Sequence, residues 1–232
     1  MKVTKYHIFL ILAFLIVWIW AAIKPVYPHD WLLENYLVFI FVPLILILSI
    51  YFKLSKLSYT LITTFMILHV IGSHYTYAEV PFGYILQNWF HASRNMYDRL
   101  VHFCFGFLLA YPIREVFVRI TKSKGFWGLY LPIELTLAFS AIYEIIEWIT
   151  ALGVNPTAGL AFLGAQGDIW DAQKDMLMAG MGAILAMAIT AIVLMIINKY
   201  FWKEFRESLS IPKHDHELGE VKLESMLKKN RR

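Results

Sequence analysis

Six apolar stretches, each long enough to cross a lipid bilayer, constrain this chain more than any other feature of its sequence. They cover about residues 7–23, 36–52, 58–75, 98–118, 129–148 and 175–198. A transmembrane helix needs about 20 mainly apolar residues, and inside lipid only a helix or a closed barrel satisfies every backbone polar group. We therefore expect an all-α fold, a polytopic membrane helix bundle with six transmembrane helices, over residues 1–198.

The composition supports a membrane protein and argues against a soluble one. Hydrophobic residues make up 59% of the 232 residues, and charged residues make up only 16%, against about 25% in a typical soluble domain. The Lys and Arg residues cluster in particular loops and in the C-terminal tail, which argues against a nucleic-acid partner. The expected partner is the lipid bilayer, and the sequence leaves the oligomeric state open.

The distribution of positive charge predicts the orientation of the bundle. If both termini are cytoplasmic, the inner segments carry seventeen of the 21 Lys and Arg residues. The outer segments then carry only Lys24, Arg94 and Lys174, with Arg99 just inside the fourth span. Cytoplasmic loops carry an excess of Lys and Arg, so we predict that both termini are cytoplasmic and that residues 199–232 form a charged cytoplasmic tail.

The connections between spans give three further expectations. Residues 24–34, which contain two prolines and two aromatic residues, predict a short loop at the membrane interface. In residues 79–97 apolar side chains recur at helical spacing, which is typical of an amphipathic helix lying in the interface. Residues 153–167 are apolar and Gly-rich, and they are a candidate lid or re-entrant segment. The small residues of the sixth span, around Ala179 and Gly182, predict close helix packing.

Acids and a histidine collect at the predicted outer ends of the spans. In the predicted topology the fourth and sixth spans enter the membrane from outside, and the third and fifth leave it there. Asp98 and His102 are four residues apart and therefore share a helix face. Ionisable side chains at membrane depth are costly and usually functional. We therefore predict a carboxylate/His site at the extracytoplasmic end, roofed by segments 79–97 and 153–167.

A divalent metal site is the first hypothesis for this cluster. Carboxylates and imidazole on facing helices are how helix bundles build metal sites. The candidate ligands are Asp98, His102, Glu144, Asp171 and Asp175, and the candidate general bases are Glu147 and Asp168. Mixed oxygen and nitrogen ligands suit Zn, Mn or Fe, and a purely carboxylate subset suits Mg or Ca. Such a site predicts a metal-dependent hydrolase or transferase that acts on a lipid-linked or envelope substrate.

Two other interpretations of the same residues stay open. The acids can serve as a proton or cation site in a non-enzymatic transporter or lipid-headgroup-binding protein, with Arg94, Arg99 and Lys174 as counter-charges. Alternatively, they are polar packing pairs and helix caps without a ligand. His69 and His74 are either further ligands or interhelical hydrogen bonders.

Three polar motifs stand at the ends of the later spans: Asp98-Arg99-x-x-His102-Phe103, Tyr143-Glu144-x-x-Glu147-Trp148 and Gly167-Asp168-x-Trp170-Asp171-x-Gln173-x-Asp175. With the apolar N-terminal spans and the overall length, they resemble the YjdF family of uncharacterised bacterial inner-membrane proteins over nearly the whole chain. This resemblance implies a multi-pass protein of the bacterial inner membrane and implies no reaction. More distantly the chain is similar to VanZ-like proteins, whose pattern Asp98, His102 and Glu144 match, although Ala179 stands where that pattern has Asn.

Overall fold

A computed structural model describes residues 4–154, 159, 162–210 and 219–229 of the chain. Within these residues the secondary structure is helical and contains no strand. The helices are α1 (Lys5–Ala22), α2 (Pro28–Tyr51), α3 (Lys56–Tyr75), α4 (Pro81–Phe90), α5 (Tyr97–Thr121), α6 (Trp127–Gly153), α7 (Asp171–Ile197), α8 (Phe201–Ser208) and α9 (Gly219–Lys229). Six of them, α1, α2, α3, α5, α6 and α7, are long and apolar enough to cross a membrane. The predicted helical bundle with six spans is therefore confirmed, and its orientation remains a prediction.

The second span begins earlier than its apolar run. The structure continues α2 back to Pro28, whereas the sequence pattern indicated an interfacial loop there. Proline is favoured in the first turn of a helix because its missing N–H has no intrahelical partner at that position. The extension brings Asp30 and Glu34 into the helix, where both are buried. Hydropathy marks only the apolar part of a span, so it missed this polar helical end.

The pair α5 and α7 is packed more closely than any other pair of helices in the described part of the chain. The closeness depends on small residues on both helices. A Cβ atom added to Gly182 of α7 would lie 2.1 Å from the carbonyl oxygen of Phe103 on α5. The predicted role of the small residues in close packing is confirmed. This contact brings the start of α7 beside the start of α5, at the end that we call the outer end because of the predicted orientation.

A buried asparagine links the three N-terminal spans. Asn35 of α2 is fully buried, and its side-chain carbonyl accepts a hydrogen bond from Trp18 Nε1 of α1 at 2.8 Å. Its amide donates to the carbonyl oxygen of Trp31 at 2.7 Å and to Ser73 Oγ of α3 at 3.4 Å. Because lipid offers no hydrogen-bond partners, polar side chains at this depth bond to neighbouring helices. The network fixes α2 against α1 and α3.

The short helix α4 lies at the outer end, within the segment predicted to be amphipathic. Gly83 and Leu86 are buried against the bundle, whereas Trp89 and Phe90 are 71% and 69% exposed. His91 ends the helix in the left-handed conformation, with a φ of 49°. The exposed aromatic rings suit the membrane interface, where aromatic residues are enriched.

The first part of the predicted tail packs against the inner end of the bundle. Phe201 of α8 is buried, and the backbone carbonyl of Ser208 accepts a hydrogen bond from Trp127 Nε1 at 2.8 Å. Ser208 Oγ also accepts from the backbone N–H of Phe126 at 2.9 Å. The helix α8 therefore covers the start of α6.

Candidate functional site

Three of the predicted site residues meet at the outer ends of α5 and α7. Asp98, His102 and Asp175 each offer one ligand atom, and these atoms lie within 4.8 Å of one another. Asp98 and His102 are 9% exposed and Asp175 is 2% exposed. The close packing of α5 on α7 produces this meeting, because it places Asp175 opposite the face that Asp98 and His102 share.

Arg99 of α5 forms ion pairs with acids on α7 and on the segment that precedes α7. Its guanidinium lies 3.2 Å from Asp168 Oδ2 and 2.6 Å from Asp171 Oδ1, and it also pairs with Asp175 Oδ2. A planar guanidinium presents five donors in a fixed fork, so one arginine can orient several carboxylates. Sequence analysis left open whether Arg99 joins the site, and the structure places it at the centre of the acids.

Arg94 connects the cluster to the segment above it. Its guanidinium lies 3.1 Å from Asp98 Oδ2 and pairs with Asp171 Oδ1 as well. It also donates a hydrogen bond to the carbonyl oxygen of Gly164 at 3.0 Å. Gly164 has a φ of +62°, a conformation that glycine adopts without steric cost. Arg94 is 6% exposed, so it belongs to the interior of the site.

The two segments predicted to roof the site bond to each other. The backbone N–H of Asn95 donates to Gln166 Oε1 at 2.9 Å, and Gln166 Nε2 donates to the carbonyl oxygen of Asn95 at 3.3 Å. Asn95 is almost fully buried and also donates through Nδ2 to the carbonyl oxygen of Val80 at 3.0 Å. Residues 155–158, 160 and 161 of the predicted lid lie outside the described residues.

The two arginines leave one oxygen of each of two aspartates without an arginine partner. Arg94 holds Asp98 Oδ2 and Arg99 holds Asp175 Oδ2. Asp98 Oδ1 faces His102 Nε2 at 3.6 Å. Asp175 Oδ1 is buried and has no hydrogen-bond partner among the residues that the structure describes. A buried carboxylate oxygen without a partner is costly, and this arrangement is the one expected where a ligand completes the site.

The two nitrogens of His102 face different carboxylates. Nε2 faces Asp98, and Nδ1 lies 3.7 Å from Glu144 Oε1 on α6. Glu144 Oε1 is also buried, and the described part of the chain offers it no hydrogen-bond partner. Metal-binding histidines commonly have a carboxylate behind the nitrogen that does not bind the metal. The predicted ligand Glu144 therefore lies behind His102, on the side away from Asp98.

The two predicted general bases lie in different surroundings. Glu147 lines a cavity that also contacts Asp98 and His102. Asp168 lies before α7, with Lys174 Nζ at 2.7 Å and a hydrogen bond from the backbone N–H of Trp170. The Lys174 ammonium and this N–H hold the pKa of Asp168 below its usual value. Asp168 is therefore ionised and only weakly basic at neutral pH.

Sequence analysis missed a second polar group beside the cluster. Glu34 Oε2 accepts a hydrogen bond from the hydroxyl of Tyr143 at 3.5 Å. His69 donates through Nε2 to the carbonyl oxygen of Glu34 at 3.1 Å, so its Nδ1 accepts from Tyr77 at 2.5 Å. A signal for Glu34 was present in the sequence. Asp30 and Glu34 are four residues apart just before an apolar run, and this spacing is the same as that of Asp98 and His102.

The remaining histidine of α3 does not join the site. His74 Nδ1 donates to the carbonyl oxygen of Ala21 on α1 at 3.0 Å. His74 therefore links two helices, which is the second of the two interpretations left open for it.

The formal charges at the outer end do not balance. Among the described residues of the cluster and the cavity beside it, seven carboxyl groups accompany three cations, Arg94, Arg99 and Lys174, which leaves an excess of four negative charges with His102 neutral. The seven carboxyl groups are those of Glu34, Asp98, Glu144, Glu147, Asp168, Asp171 and Asp175. Like charges in a low-dielectric site repel one another. The site therefore needs a bound cation or bound protons.

Comparison with known proteins identifies the family. The family model described as "Predicted membrane protein (DUF2238)" matches residues 6–195, from α1 almost to the end of α7. The chain belongs to this family. A relative, the Inner membrane protein YjdF of Escherichia coli (strain K12), is 42% identical over 167 residues, which are 70% of this chain and 79% of the relative. No solved structure matches the chain.

The family assignment confirms the resemblance to YjdF and the location of the chain. The chain is a multi-pass protein of the inner membrane, in agreement with the relative's name and with the six apolar helices. The match to the DUF2238 family covers every residue of the carboxylate/His cluster. The more distant likeness to VanZ-like proteins remains a prediction.

Proposed function

We propose that the outer-end cluster binds one divalent metal ion and that the protein uses it to act on a lipid-linked or envelope substrate, as a hydrolase or transferase. One observation carries this proposal. Asp98, His102 and Asp175 bring three ligand atoms within 4.8 Å in a buried site, and no described residue forms a hydrogen bond with Asp175 Oδ1.

Three of the five predicted ligands form the proposed first coordination sphere. They are Asp98 through Oδ1, His102 through Nε2 and Asp175 through Oδ1. One nitrogen and two oxygen ligands favour Zn, Mn or Fe over Ca or Mg, which prefer oxygen alone. Three protein ligands also leave a coordination position for a substrate, as catalytic sites require.

The other two predicted ligands, Asp171 and Glu144, contact the residues that surround or form this set. Asp171 Oδ1 accepts from both Arg94 and Arg99, so it fixes the two arginines that orient Asp98 and Asp175. Glu144 fixes the ring of His102 through Nδ1. Such outer partners commonly affect metal affinity by about 10–100-fold, so we assign Asp171 and Glu144 positioning roles.

The reaction follows from the chemistry of the set. A divalent metal here would polarise a phosphoryl or carbonyl oxygen of the substrate. Glu147 is the proposed general base because its side chain lines the cavity with Asp98 and His102. Asp168 is the weaker choice, because Lys174 and Arg99 hold it as an ionised partner. We propose that Asp168 positions Arg99.

Metal analysis of the purified full-length protein tests the proposal. Wild-type protein prepared without chelators should hold about one Zn, Mn or Fe per chain, and His102→Ala should lose it. Asp175→Asn provides a second variant in case His102→Ala does not fold. The matched control is His29→Ala, whose side chain is 62% exposed near the outer end of α2, and it should keep the metal. A wild-type protein that holds no metal and takes up none of the three ions would overturn the proposal.

A second function is favoured by a different observation. Glu34, Glu144 and Glu147 have no Lys or Arg partner among the described residues, so protons rather than a metal can compensate their charge. The cluster would then be the proton or cation site of a transporter or a lipid-headgroup-binding protein. Metal-free wild-type protein whose tryptophan fluorescence titrates with pH, and a Glu147→Gln variant that has lost this titration, would favour this function.

A further inference from the structure

A long cavity lies between α2, α3, α5 and α6 and has a volume of about 550 Å³. Its lining runs from Glu34 to Phe52 along α2 and from Asp98 to Ile120 along α5. At about 1.5 Å per residue these stretches measure roughly 27 Å and 33 Å. The hydrocarbon core of a bilayer is about 30 Å thick. The cavity therefore extends through nearly the whole depth of the membrane.

The lining of this cavity is polar in one half and apolar in the other. Its ionisable lining residues, including Glu34, Asp98 and Glu147, belong to the outer half. The inner half is lined by apolar side chains, among them Phe52 and Ile113. Among the described residues no ionisable side chain lines the inner half. The cavity thus has one polar end, which adjoins the carboxylate/His cluster, and one long apolar end.

The cavity opens sideways between α2 and α6. Leu44 on α2 and Ile142 on α6 both line it, yet they are 45% and 51% exposed. In the membrane this opening faces hydrocarbon rather than water. We call the cavity with its opening the lateral groove.

We infer that the lateral groove holds the tail of a single-chain lipid longer than one leaflet, of the polyprenyl phosphate class, with its head at Asp98, His102 and Asp175. The tail of an ordinary phospholipid reaches only to the membrane midplane, about 15 Å from the interface. It would leave the inner half of the groove empty, and an empty space deprives its lining of dispersion contacts. An inner-leaflet lipid would find no ionisable partner for its head in the described lining of that half.

The head end of this inference rests on the proposed function. An anionic phosphate meets an excess of acids at the outer end, so it binds there only if a metal ion offsets the acids. The tail in the lateral groove does not depend on the metal. Binding of the tail and binding of the metal can therefore be measured separately.

Binding of polyprenyl phosphates to the full-length protein in detergent tests the inference. Leu44→Trp narrows the groove about ten residues, or roughly 15 Å, inward from Glu34. It should weaken binding of a membrane-length polyprenyl phosphate at least tenfold and leave farnesyl phosphate, which is short, unchanged. The matched control is Leu46→Trp, since Leu46 is 53% exposed on the same helix and is not in the groove lining. Native mass spectrometry with both lipids gives the two affinities.

A second pair of variants protects the test against misfolding. Leu135→Trp on α6, which narrows the groove about twelve residues, or roughly 18 Å, inward from Glu147, should repeat the effect of Leu44→Trp. Ile145→Trp, at a position 52% exposed outside the lining, should not. Equal binding of the long lipid by groove and control variants would overturn the inference, as would displacement of that lipid by an equal concentration of phosphatidylglycerol. Metal content is measured in the same samples. If the groove and control variants bind the long lipid equally while the metal content is intact, only the lipid inference is disproved. If the protein holds no metal but the groove variants still bind the long lipid more weakly than the controls, only the metal proposal is disproved.

Discussion

Gly106 of α5 faces the backbone of Ala179 on α7 so closely that a Cβ atom on Gly106 would lie 1.8 Å from the carbonyl oxygen of Ala179. The obstructing atom belongs to the backbone, so it cannot move aside as a flexible side chain does. The two helices can keep this distance only while residue 106 is glycine. The distance in turn sets how near Asp175 comes to Asp98 and His102.

We predict that Gly106→Ala destabilises the protein and disrupts the carboxylate/His cluster. The added methyl group must push α5 and α7 apart, and overpacking of this kind costs about 1–3 kcal/mol. The melting temperature measured in detergent and the metal content per chain should both be lower than in wild type. Gly153→Ala is the control, because a Cβ there meets no described residue within 4 Å. Equal stability of Gly106→Ala and wild type would contradict the close packing.

Arg99→Gln should destabilise the protein much more than Lys174→Gln. Arg99 pairs with three aspartates, of which Asp175 is 2% exposed, and removing one partner of a buried ion pair costs about 3–5 kcal/mol. The Lys174 side chain is 51% exposed and, within the described part of the chain, pairs only with Asp168, so its loss should cost less than about 1 kcal/mol. Denaturant unfolding of both variants measures the difference. Similar losses in the two variants would mean that Arg99 does not hold the cluster together.

The ion pair between Asp168 and Lys174 should give a pH-dependent stability. The pKa of Asp168 is lowered in the folded protein, first by its hydrogen bond from Lys174. A carboxyl group with a lowered folded pKa stabilises the protein above its unfolded pKa, about 3.9, and this stabilisation is lost as the pH falls through the folded pKa. Wild type should therefore exceed Lys174→Met in melting temperature at pH 7, and the gap should shrink below about pH 4. A gap that stays constant from pH 7 to pH 3 would argue against this ion pair.

The orientation of the bundle can be tested by labelling single cysteines. Cys104 is the only native cysteine, so Cys104→Ser supplies the background. In that background His91→Cys should react with a membrane-impermeant maleimide added to intact spheroplasts, because α4 ends on the predicted outer side. Lys124→Cys, in the predicted cytoplasmic loop between α5 and α6, should react only after the membrane is opened. The reverse pattern would place the carboxylate/His cluster on the cytoplasmic side.

Sequence reasoning placed Asp98, His102 and Asp175 at one outer site through the predicted topology, but only the pairing of Asp98 with His102 followed from a local pattern. Asp98 and His102 were recognised because four residues make one helical turn, and the structure places both in the cluster. Glu34 was missed because hydropathy started the second span after it, although α2 begins at Pro28. The grouping of Asp175 with His102 depends on how α7 packs on α5, and residues 73 positions apart in sequence carry no local pattern that fixes their distance.

The amino-acid sequence by itself determined that this chain is a six-span helical membrane protein, because lipid permits few structures for long apolar stretches. It also determined which residues are costly to bury. Only the tertiary structure decided which carboxylates share the three-atom set, which are held by Arg94 and Arg99, and that a lateral groove leads to them. These arrangements depend on helix rotation and separation, which side chains far apart in the sequence set together when the helices pack.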